Sequence, residues 1–207
     1  MQSTTSFFWI TPKSPWIASA ACKNWEGVPV EFKVERFDQV FWTSKPEDLQ
    51  KVKAQYPYFF PANIPDSTLI NKLKNPLLKE LYKEVQMKYP NLGKIENDME
   101  KLFAHVQYYF PKYKTPRVIT LINEVDTDGR VFYVDTLALV SLDCYLGKDH
   151  RFYVDFPEFK KFEFEENQIL PNLVSSFCYG KIATPTDRTL LSAMIYYGKE
   201  LYMKDKL

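Results

Sequence analysis

Residues 135–153 decide the fold of this chain and read Asp135-Thr-Leu-Ala-Leu-Val-Ser-Leu-Asp143-Cys-Tyr-Leu-Gly147-Lys-Asp149-His150-Arg-Phe-Tyr153. An acid within an apolar run that stops at a glycine predicts a helix over residues 136–146. A carboxylate among leucines is unfavourable by several kcal/mol unless its charge is compensated. We therefore expect this helix to pack against the last helix and Asp143 to meet a basic or donating group, in order of preference Lys199, His150 or Arg188.

Strand-like runs precede this segment. Arg117–Val125 and Arg130–Asp135 are joined by Asp126-Thr-Asp-Gly129, whose glycine supplies the positive φ of a tight turn, and this pattern predicts a β-hairpin. Apolar residues alternate between Val28 and Val40, which predicts an extended strand before Arg36. The sheet is therefore expected to be small and antiparallel.

Helical periodicity dominates the rest of the chain. Pro76 suits the first position of a helix over residues 76–89, and a second apolar stripe runs over residues 95–110. The last helix is expected to be capped by Thr186 or Asp187. Its predicted core stripe consists of Leu190, Leu191, Met194, Ile195, Leu201 and Tyr202. The predicted fold class is α+β, helix-dominated, with a small antiparallel hairpin or sheet.

Composition limits the class of protein. With 207 residues, 45% hydrophobic and 26% charged, the chain can bury one core of ordinary size, so we expect one main domain over residues 28–207. The 27 Lys and Arg against 26 Asp and Glu leave a net charge of +1, which disfavours binding to nucleic acid. No apolar run reaches the length of about 18 residues that indicates a membrane-spanning helix.

Residues 1–27 form a leader-like extension with a candidate lipidation residue, Cys22. Ala20-Ala21-Cys22 has the small residues of a lipoprotein cleavage box, but Ser19 stands where leucine is usual, and the extension has no basic first region. The alternatives of an acylated Cys22 and of an N-terminal extension with a chance cysteine stay open on these residues.

The two other cysteines are Cys144 and Cys178. A disulfide between them and two buried free thiols are both compatible with the pattern.

No catalytic motif is present. A zinc hydrolase helix needs His-Glu-x-x-His, whereas the two histidines here, His105 and His150, lie far apart in sequence. Neither a Gly-x-Ser-x-Gly elbow nor a phosphate-binding loop occurs. We therefore expect no cofactor and no metal.

The remaining candidate cluster, functional or structural, is Asp143, Asp149, His150 and Lys199. Its functional interpretation is a buried Asp143–Lys199 contact at the floor of a cleft, and its structural interpretation, a packing role, is favoured.

Four motifs together carry a family resemblance: Arg36-Phe-Asp38, Tyr56-Pro-Tyr-Phe-Phe-Pro61, Leu142-Asp-Cys-Tyr-Leu-Gly-Lys-Asp-His150 and Met194-Ile-Tyr-Tyr-Gly-Lys-Glu-Leu-Tyr202. Over residues 28–207 the chain resembles the GldB family, lipoproteins required for bacterial gliding motility. The resemblance implies a lipid anchor at Cys22, a place in the cell envelope and partners in the gliding or associated secretion machinery.

The resemblance also implies a fold and a catalytic status. GldB members look distantly similar to predicted zincin-like metallopeptidases, and Tyr196, Tyr197 and Lys199 stand here near the place of the metal-binding histidines. This implies a non-catalytic descendant of a peptidase scaffold. Because family members continue with a further helical region, the resemblance also implies a domain that is truncated at its C-terminus.

Two function classes follow. The first is a lipid-anchored envelope protein that supports gliding motility through protein interaction on a non-catalytic scaffold. The alternative is an envelope hydrolase with an unrecognised site built from Asp143, Asp149, His150 and His105. Stoichiometric metal in the purified protein favours the second class.

Overall fold

The computed structural model describes residues 28–61 and 63–207, so the predicted leader and Cys22 lie outside the described residues. The described residues form eight α-helices and four β-strands. The helices are α1 (Phe37–Thr43), α2 (Leu49–Gln55), α3 (Asp66–Lys74), α4 (Pro76–Lys88), α5 (Gly93–Tyr109), α6 (Glu158–Lys161), α7 (Ile169–Cys178) and α8 (Leu190–Lys206). The strands are β1 (Val34–Arg36), β2 (Arg117–Leu121), β3 (Val131–Val134) and β4 (Leu137–Ser141).

The sheet is mixed, with the strand order β1-β2-β4-β3. Strands β1, β2 and β4 run parallel, and only β3 is antiparallel to its neighbour β4. The α+β, helix-dominated class is confirmed, but the prediction of an antiparallel sheet is wrong. The parallel strands β1 and β2 are joined by a crossover that contains α1 to α5, whereas β2 and β4 are joined through the antiparallel strand β3.

The predicted helix over residues 136–146 is wrong. Residues 137–141 form the central strand β4, and Leu142–Cys144 form a single 3-10 turn. Ala138 and Val140 pack into the core on one face of the sheet, while Leu137 and Leu139 pack against the core on the other. A strand that is covered on both faces is apolar at every position, and periodicity alone cannot distinguish such a run from a buried helix.

The predicted hairpin is also placed differently. Asp126-Thr-Asp-Gly129 does form a turn, in which the Asp126 carboxylate accepts a 3.0 Å hydrogen bond from the backbone N–H of Asp128. However, β2 and β3 are not paired, because β4 lies between them. The hairpin of the sheet is β3–β4, and its turn holds Asp135 at a φ of +48°, a left-handed conformation that aspartate tolerates.

Helices cover both faces of the sheet. One core contains the apolar faces of α4, α5 and α7, and the other contains residues of α1, α2 and α3. Two sequence predictions are confirmed here. Pro76 is the first residue of α4, with the Asn75 side chain accepting from the Leu77 N–H at 2.9 Å, and α5 covers the second apolar stripe. The sheet is therefore the middle of three layers.

The last helix differs from its prediction in two respects. Its N-cap is Thr189, whose hydroxyl oxygen accepts from the Ser192 N–H at 3.2 Å. Its predicted core stripe points outward, and the fully buried residue of α8 is Met203. Within residues 28–61 and 63–207, no helix combines the length and the apolar character needed to cross a membrane.

Because β4 lies inside the sheet and β3 at its edge, truncating a valine in each strand tests this placement. Val140 in β4 is fully buried, whereas Val134 at the edge strand β3 is 49% exposed. Val140→Ala is expected to lower the free energy of unfolding by about 2 kcal/mol through lost burial and a residual cavity, and Val134→Ala by less than about 0.5 kcal/mol. Urea denaturation of the two variants measures this difference. Equal effects would contradict the placement of β4 at the centre of the sheet.

Candidate functional site

The carboxyl ends of the parallel strands meet at one edge of the sheet, where α/β proteins commonly place their functional groups. Asp38 follows β1, Asn123 follows β2 and Asp143 follows β4. The side chains of both aspartates are completely buried. We call these three residues and the loop through Val125 the carboxyl-edge cluster.

The Asp143 carboxylate is held by backbone groups. It accepts hydrogen bonds from the Asn123 N–H at 3.1 Å to each oxygen and from the Val125 N–H at 2.6 Å. The expectation that a donor compensates this acid is confirmed. The three candidate partners were wrong, because the donors are main-chain amides from the loop after β2, which no residue type in the sequence reveals.

This loop has an unusual backbone. Glu124 and Val125 have φ values of +56° and +60°, in the left-handed region that is unfavourable for a β-branched residue such as valine. The Glu124 carboxylate pairs with Lys72 of α3 at 2.5 Å. The bonds from Asn123 and Val125 to Asp143 hold the loop in this conformation, so the acid stabilises a backbone shape that the loop's own residues disfavour.

Burial raises the pKa of Asp143 from 3.8 to about 6. The cause is the loss of water around the charged form, and the N–H groups of Val125 and Asn123 lower the pKa in part because they stabilise that form. The native state therefore binds a proton at this carboxyl more tightly than the unfolded chain does.

Asp38 is surrounded by side-chain donors. Arg36 donates to its two oxygens at 2.9 and 2.7 Å, Gln86 of α4 donates at 2.9 Å, and the Thr120 hydroxyl of β2 donates at 2.5 Å. Arg36 also donates to the Tyr89 carbonyl at 3.2 Å. Arg36-Phe-Asp38 is therefore a buried ionic contact that joins β1, β2 and α4. Arg36 is the last residue of β1 and Asp38 lies in the first turn of α1, so the change from strand to helix brings the two side chains together.

Tyrosine hydroxyls fix the segment after Asp143. The Tyr153 hydroxyl donates to the Asp143 carbonyl at 2.5 Å and accepts from the Leu146 N–H at 3.0 Å. The Tyr89 hydroxyl donates to the Tyr145 carbonyl at 2.5 Å. Because Tyr153 is fully buried, this segment is anchored to the core, and the glycine in it, Gly147, has a φ of +112°.

Asp149 and His150 lie on the outer side of this segment. Asp149 is exposed. The His150 ring stacks on Phe152 with 5.5 Å between centroids, and its Nε2 lies 3.6 Å from a carboxylate oxygen of Glu84. The His150 Nδ1 accepts from the Phe152 N–H at 3.4 Å, so the ring caps its own turn.

The structure does not assemble the predicted cluster. Lys199 is exposed on α8, and no hydrogen bond or ion pair between described residues joins it to Asp143. His105 of α5 contacts the Leu207 carbonyl through Nδ1 at 3.0 Å. Across the described ranges, no three His, Cys, Asp or Glu side chains are placed to hold a metal ion. Cys144 and Cys178 are buried free thiols.

The carboxyl-edge cluster can therefore join loops and strands, but its two carboxylates are enclosed by donors. Each buried acid accepts at least three hydrogen bonds, so the oxygens are engaged within the fold. A general acid or base must reach the proton it transfers. The donors of the loop after β2 were missed from the sequence because every residue carries the same N–H.

Comparison with known protein families identifies the family of this chain. The model of the family described as gliding motility protein GldB matches residues 19–207. No curated protein and no solved structure matches the chain. The expectation of a distant zincin-like fold accordingly finds no support.

Because Asp143 accepts these hydrogen bonds, we expect its removal to lower the stability of the fold considerably. Asp143→Ala is expected to lower the free energy of unfolding by about 3 kcal/mol, because buried N–H groups lose their acceptor and the left-handed loop loses its support. Asp149→Ala is the matched control and is expected to change stability by less than about 0.5 kcal/mol, since Asp149 is exposed. Denaturant titration at constant pH measures both. An effect of Asp143→Ala as small as that of the control would contradict the supporting role.

The raised pKa of Asp143 predicts a dependence of stability on pH. The pKa is about 6 in the folded chain against 3.8 for an aspartate in water, so the stabilisation that proton binding at Asp143 gives the fold is complete below about pH 4 and is lost as the pH rises through 6. Asn at this position does not titrate. The stability advantage of the wild-type chain over Asp143→Asn is therefore expected to fall by on the order of 2–3 kcal/mol between pH 4 and pH 7.

Unfolding free energies of the two proteins at four pH values test this expectation. All other titrating groups are common to both chains, so their contributions cancel in the difference. A constant difference, or one that increases with pH, would show that the folded-state pKa of Asp143 is not raised.

Proposed function

The chain belongs to the GldB family of gliding motility proteins, and from this we propose that it is a lipid-anchored cell-envelope protein that acts through protein interaction on a non-catalytic scaffold. Family membership gives it a role in gliding motility. The proposed partners are proteins of the gliding machinery and of the associated secretion machinery. The proposed anchor is an acyl group on Cys22, and the family's name is that of a lipoprotein family.

The state of Asp143 is the observation that carries the non-catalytic part of the proposal. Its side chain is completely buried, and the backbone N–H groups of Asn123 and Val125 together contact both carboxylate oxygens. A catalytic carboxylate needs a free oxygen toward the substrate. This acid instead holds a strained loop in place, which is a structural task.

The other candidate residues support the same conclusion. His150 contacts Phe152 and Glu84, and Asp149 is exposed to solvent. The link between His150 and Asp143 runs through Tyr153, whose ring lies 5.6 Å from the histidine ring and whose hydroxyl donates to the backbone of Asp143. The two side chains therefore have separate sets of partners, with Tyr153 in contact with both residues.

The anchor and the non-catalytic role are tested together in a gliding strain that lacks its own copy of the protein. Cys22→Ser is expected to abolish fatty-acid labelling and to reduce gliding, because the protein loses its hold on the membrane. The double variant Asp149→Ala with His150→Ala is expected to retain both labelling and gliding. Metabolic labelling and colony spreading are the two measurements.

Each part can fail separately. Recovery of the intact N-terminus from Met1 in soluble extract contradicts the lipid anchor. About one zinc per chain by elemental analysis, lost in His150→Ala together with gliding, contradicts the non-catalytic role and supports the hydrolase.

A further inference from the structure

Strand β3 forms one edge of the sheet, and none of the described strands lies on its outer side. At the start of β3, the Arg130 carbonyl accepts a 2.8 Å hydrogen bond from the Ser141 N–H of β4. In an antiparallel ladder every second residue bonds to the partner strand, and the residues between point their N–H and C=O groups away from it. The register therefore turns the backbone groups of Val131 and Tyr133 outward.

Of these four outward groups, one has a hydrogen-bond partner within residues 28–61 and 63–207. The Tyr133 N–H donates to the Ser176 hydroxyl oxygen of α7 at 2.8 Å. The Tyr133 C=O and both groups of Val131 make no hydrogen bond to a described residue. The Ser176 hydroxyl thus lies where a carbonyl of a further strand would lie, and the other three groups can still pair with one.

A groove of about 600 Å³ runs beside this edge. Residues 131–135 line one side of it, and Asn172, Ser175, Ser176 and Tyr179 of α7 line the other. We call it the edge groove. Its volume lies within the range of about 300–1,000 Å³ that is typical of ligand sites. Because Ser176 both lines the groove and accepts from the Tyr133 N–H, the open backbone groups of β3 face into it.

The spacing of the open groups fits an extended chain. Val131 and Tyr133 are two residues apart, which is about 6.6 Å along a strand at 3.3 Å per residue. Any other strand presents its N–H and C=O groups toward a neighbour at the same interval, whichever residues it contains. A groove between an edge strand and a helix is also a known arrangement for binding an extended peptide. The backbone chemistry of the edge groove therefore selects a strand.

The charges in the edge groove are balanced. Two cations, Arg130 and Lys181, and two acids, Asp128 and Asp135, belong to its lining. Arg130 pairs with Glu163, and the Lys181 ammonium lies 4.6 Å from the centre of the Tyr113 ring. A lining of this kind does not attract a polyanion such as nucleic acid. It agrees with a peptide, whose backbone is neutral.

The two edges of the sheet differ in their protection against pairing. Edge strands commonly carry charged side chains that discourage the addition of a further strand. The three residues of β1 include Glu35 and Arg36, whereas β3 reads Val-Phe-Tyr-Val and has no charge. Phe132 is 54% exposed and Val134 49% exposed on the face of β3 that α7 does not cover. The unprotected edge is the one that borders the groove.

We propose that an extended segment of a partner protein binds in the edge groove and pairs with the outer side of β3 as a fifth strand. The proposal deepens the proposed role in protein interaction and rests on it in one respect, that the segment belongs to a partner protein.

The two sides of β3 set the side chains that the segment should carry. Val131 and Tyr133 pack in the same core as α7, so the residues opposite them point toward Asn172 and Ser175. The residue opposite Phe132 points to the other face and meets the exposed phenyl ring. Small polar residues suit the first positions and apolar residues the second. The expected segment therefore alternates between small polar and apolar residues.

Selection from a phage-displayed library of random octapeptides tests the proposal, with the full chain as the target. The library is passed first over the variant Val131→Pro and is then selected on the wild-type chain. Proline removes the outward N–H of residue 131 and leaves the ladder to β4 intact, so this step removes peptides that bind elsewhere. We expect the retained sequences to show the alternation and, as blocked synthetic peptides, to bind with a Kd of about 1–100 µM.

Matched proline variants check the site of binding. Val131→Pro is expected to weaken binding of a retained peptide at least tenfold. Glu31→Pro is the control, because Glu31 is exposed in an irregular segment outside the groove, and it is expected to leave the affinity unchanged. Circular dichroism of both variants should match that of the wild type.

Two measurements on the wild-type chain decide the binding mode even if a proline variant does not fold. N-methylation of every second peptide amide is expected to weaken binding at least tenfold in one phase and less than about threefold in the other, because alternate amides face β3. In the complex, hydrogen exchange of the Val131 amide is expected to slow about tenfold or more, while that of Glu31 stays unchanged.

Three results overturn the proposal. The first is that no peptide is retained on the wild-type chain after passage over Val131→Pro. The second is a peptide that both methylation phases weaken equally, or that leaves exchange at Val131 unchanged. The third is a dimer of the chain alone at about 100 µM that Val131→Pro abolishes, which would make β3 of a second copy the occupant. These assays use only the purified chain and peptides, so their failure leaves the proposed anchor and gliding role untouched.

Discussion

The requirement that the buried Asp143 carboxylate receive hydrogen bonds connects most parts of this fold. The acid lies at the end of the central strand β4, and its donors come from the loop that follows β2. The same loop reaches α3 through Glu124 and Lys72. On the other side, the Asp143 carbonyl accepts from the buried Tyr153 hydroxyl, which fixes the course of the following segment. A fully buried carboxylate without such donors is unfavourable by several kcal/mol, so these elements must keep their relative positions.

Asp38, which follows β1 on the far side of β2, is a second buried acid with a full set of donors but with different chemistry. Its donors are side chains from Arg36, Gln86 and Thr120 instead of main-chain amides. Both acids lie at the carboxyl edge of the parallel strands, the position at which many α/β proteins bind ligands. Here the protein's own donors contact both carboxylates. The edge at which other α/β proteins bind a ligand therefore holds strands, loops and α4 together in this fold. This use of the edge is the basis of the proposal that the chain acts through protein interaction.

The apolar face of α8 is oriented differently from the apolar faces of the other long helices. Helices α4, α5 and α7 turn their apolar residues toward the sheet, whereas α8 turns most of its apolar residues toward solvent. Met203 is the buried residue of α8, and among the described residues nothing covers the apolar side chains on its outer face.

The sequence by itself determined the local features. The α+β class, the start of α4 at Pro76, the course of α5, and the need of Asp143 for a donor follow from caps, periodicity and the unfavourable free energy of a buried charge. The four quoted motifs were enough to indicate the family. These properties depend on residues that lie close together in the chain.

Only the tertiary structure decided the rest. That residues 137–141 form a strand depends on apolar cover from both faces, which comes from helices far away in sequence. The donors to Asp143 are backbone amides, which every residue possesses, so no residue type reveals them. The outward turn of α8 depends on which of its faces finds a partner within the fold. An apolar stripe in a sequence indicates one face of a helix, but it does not indicate whether that face packs within the fold.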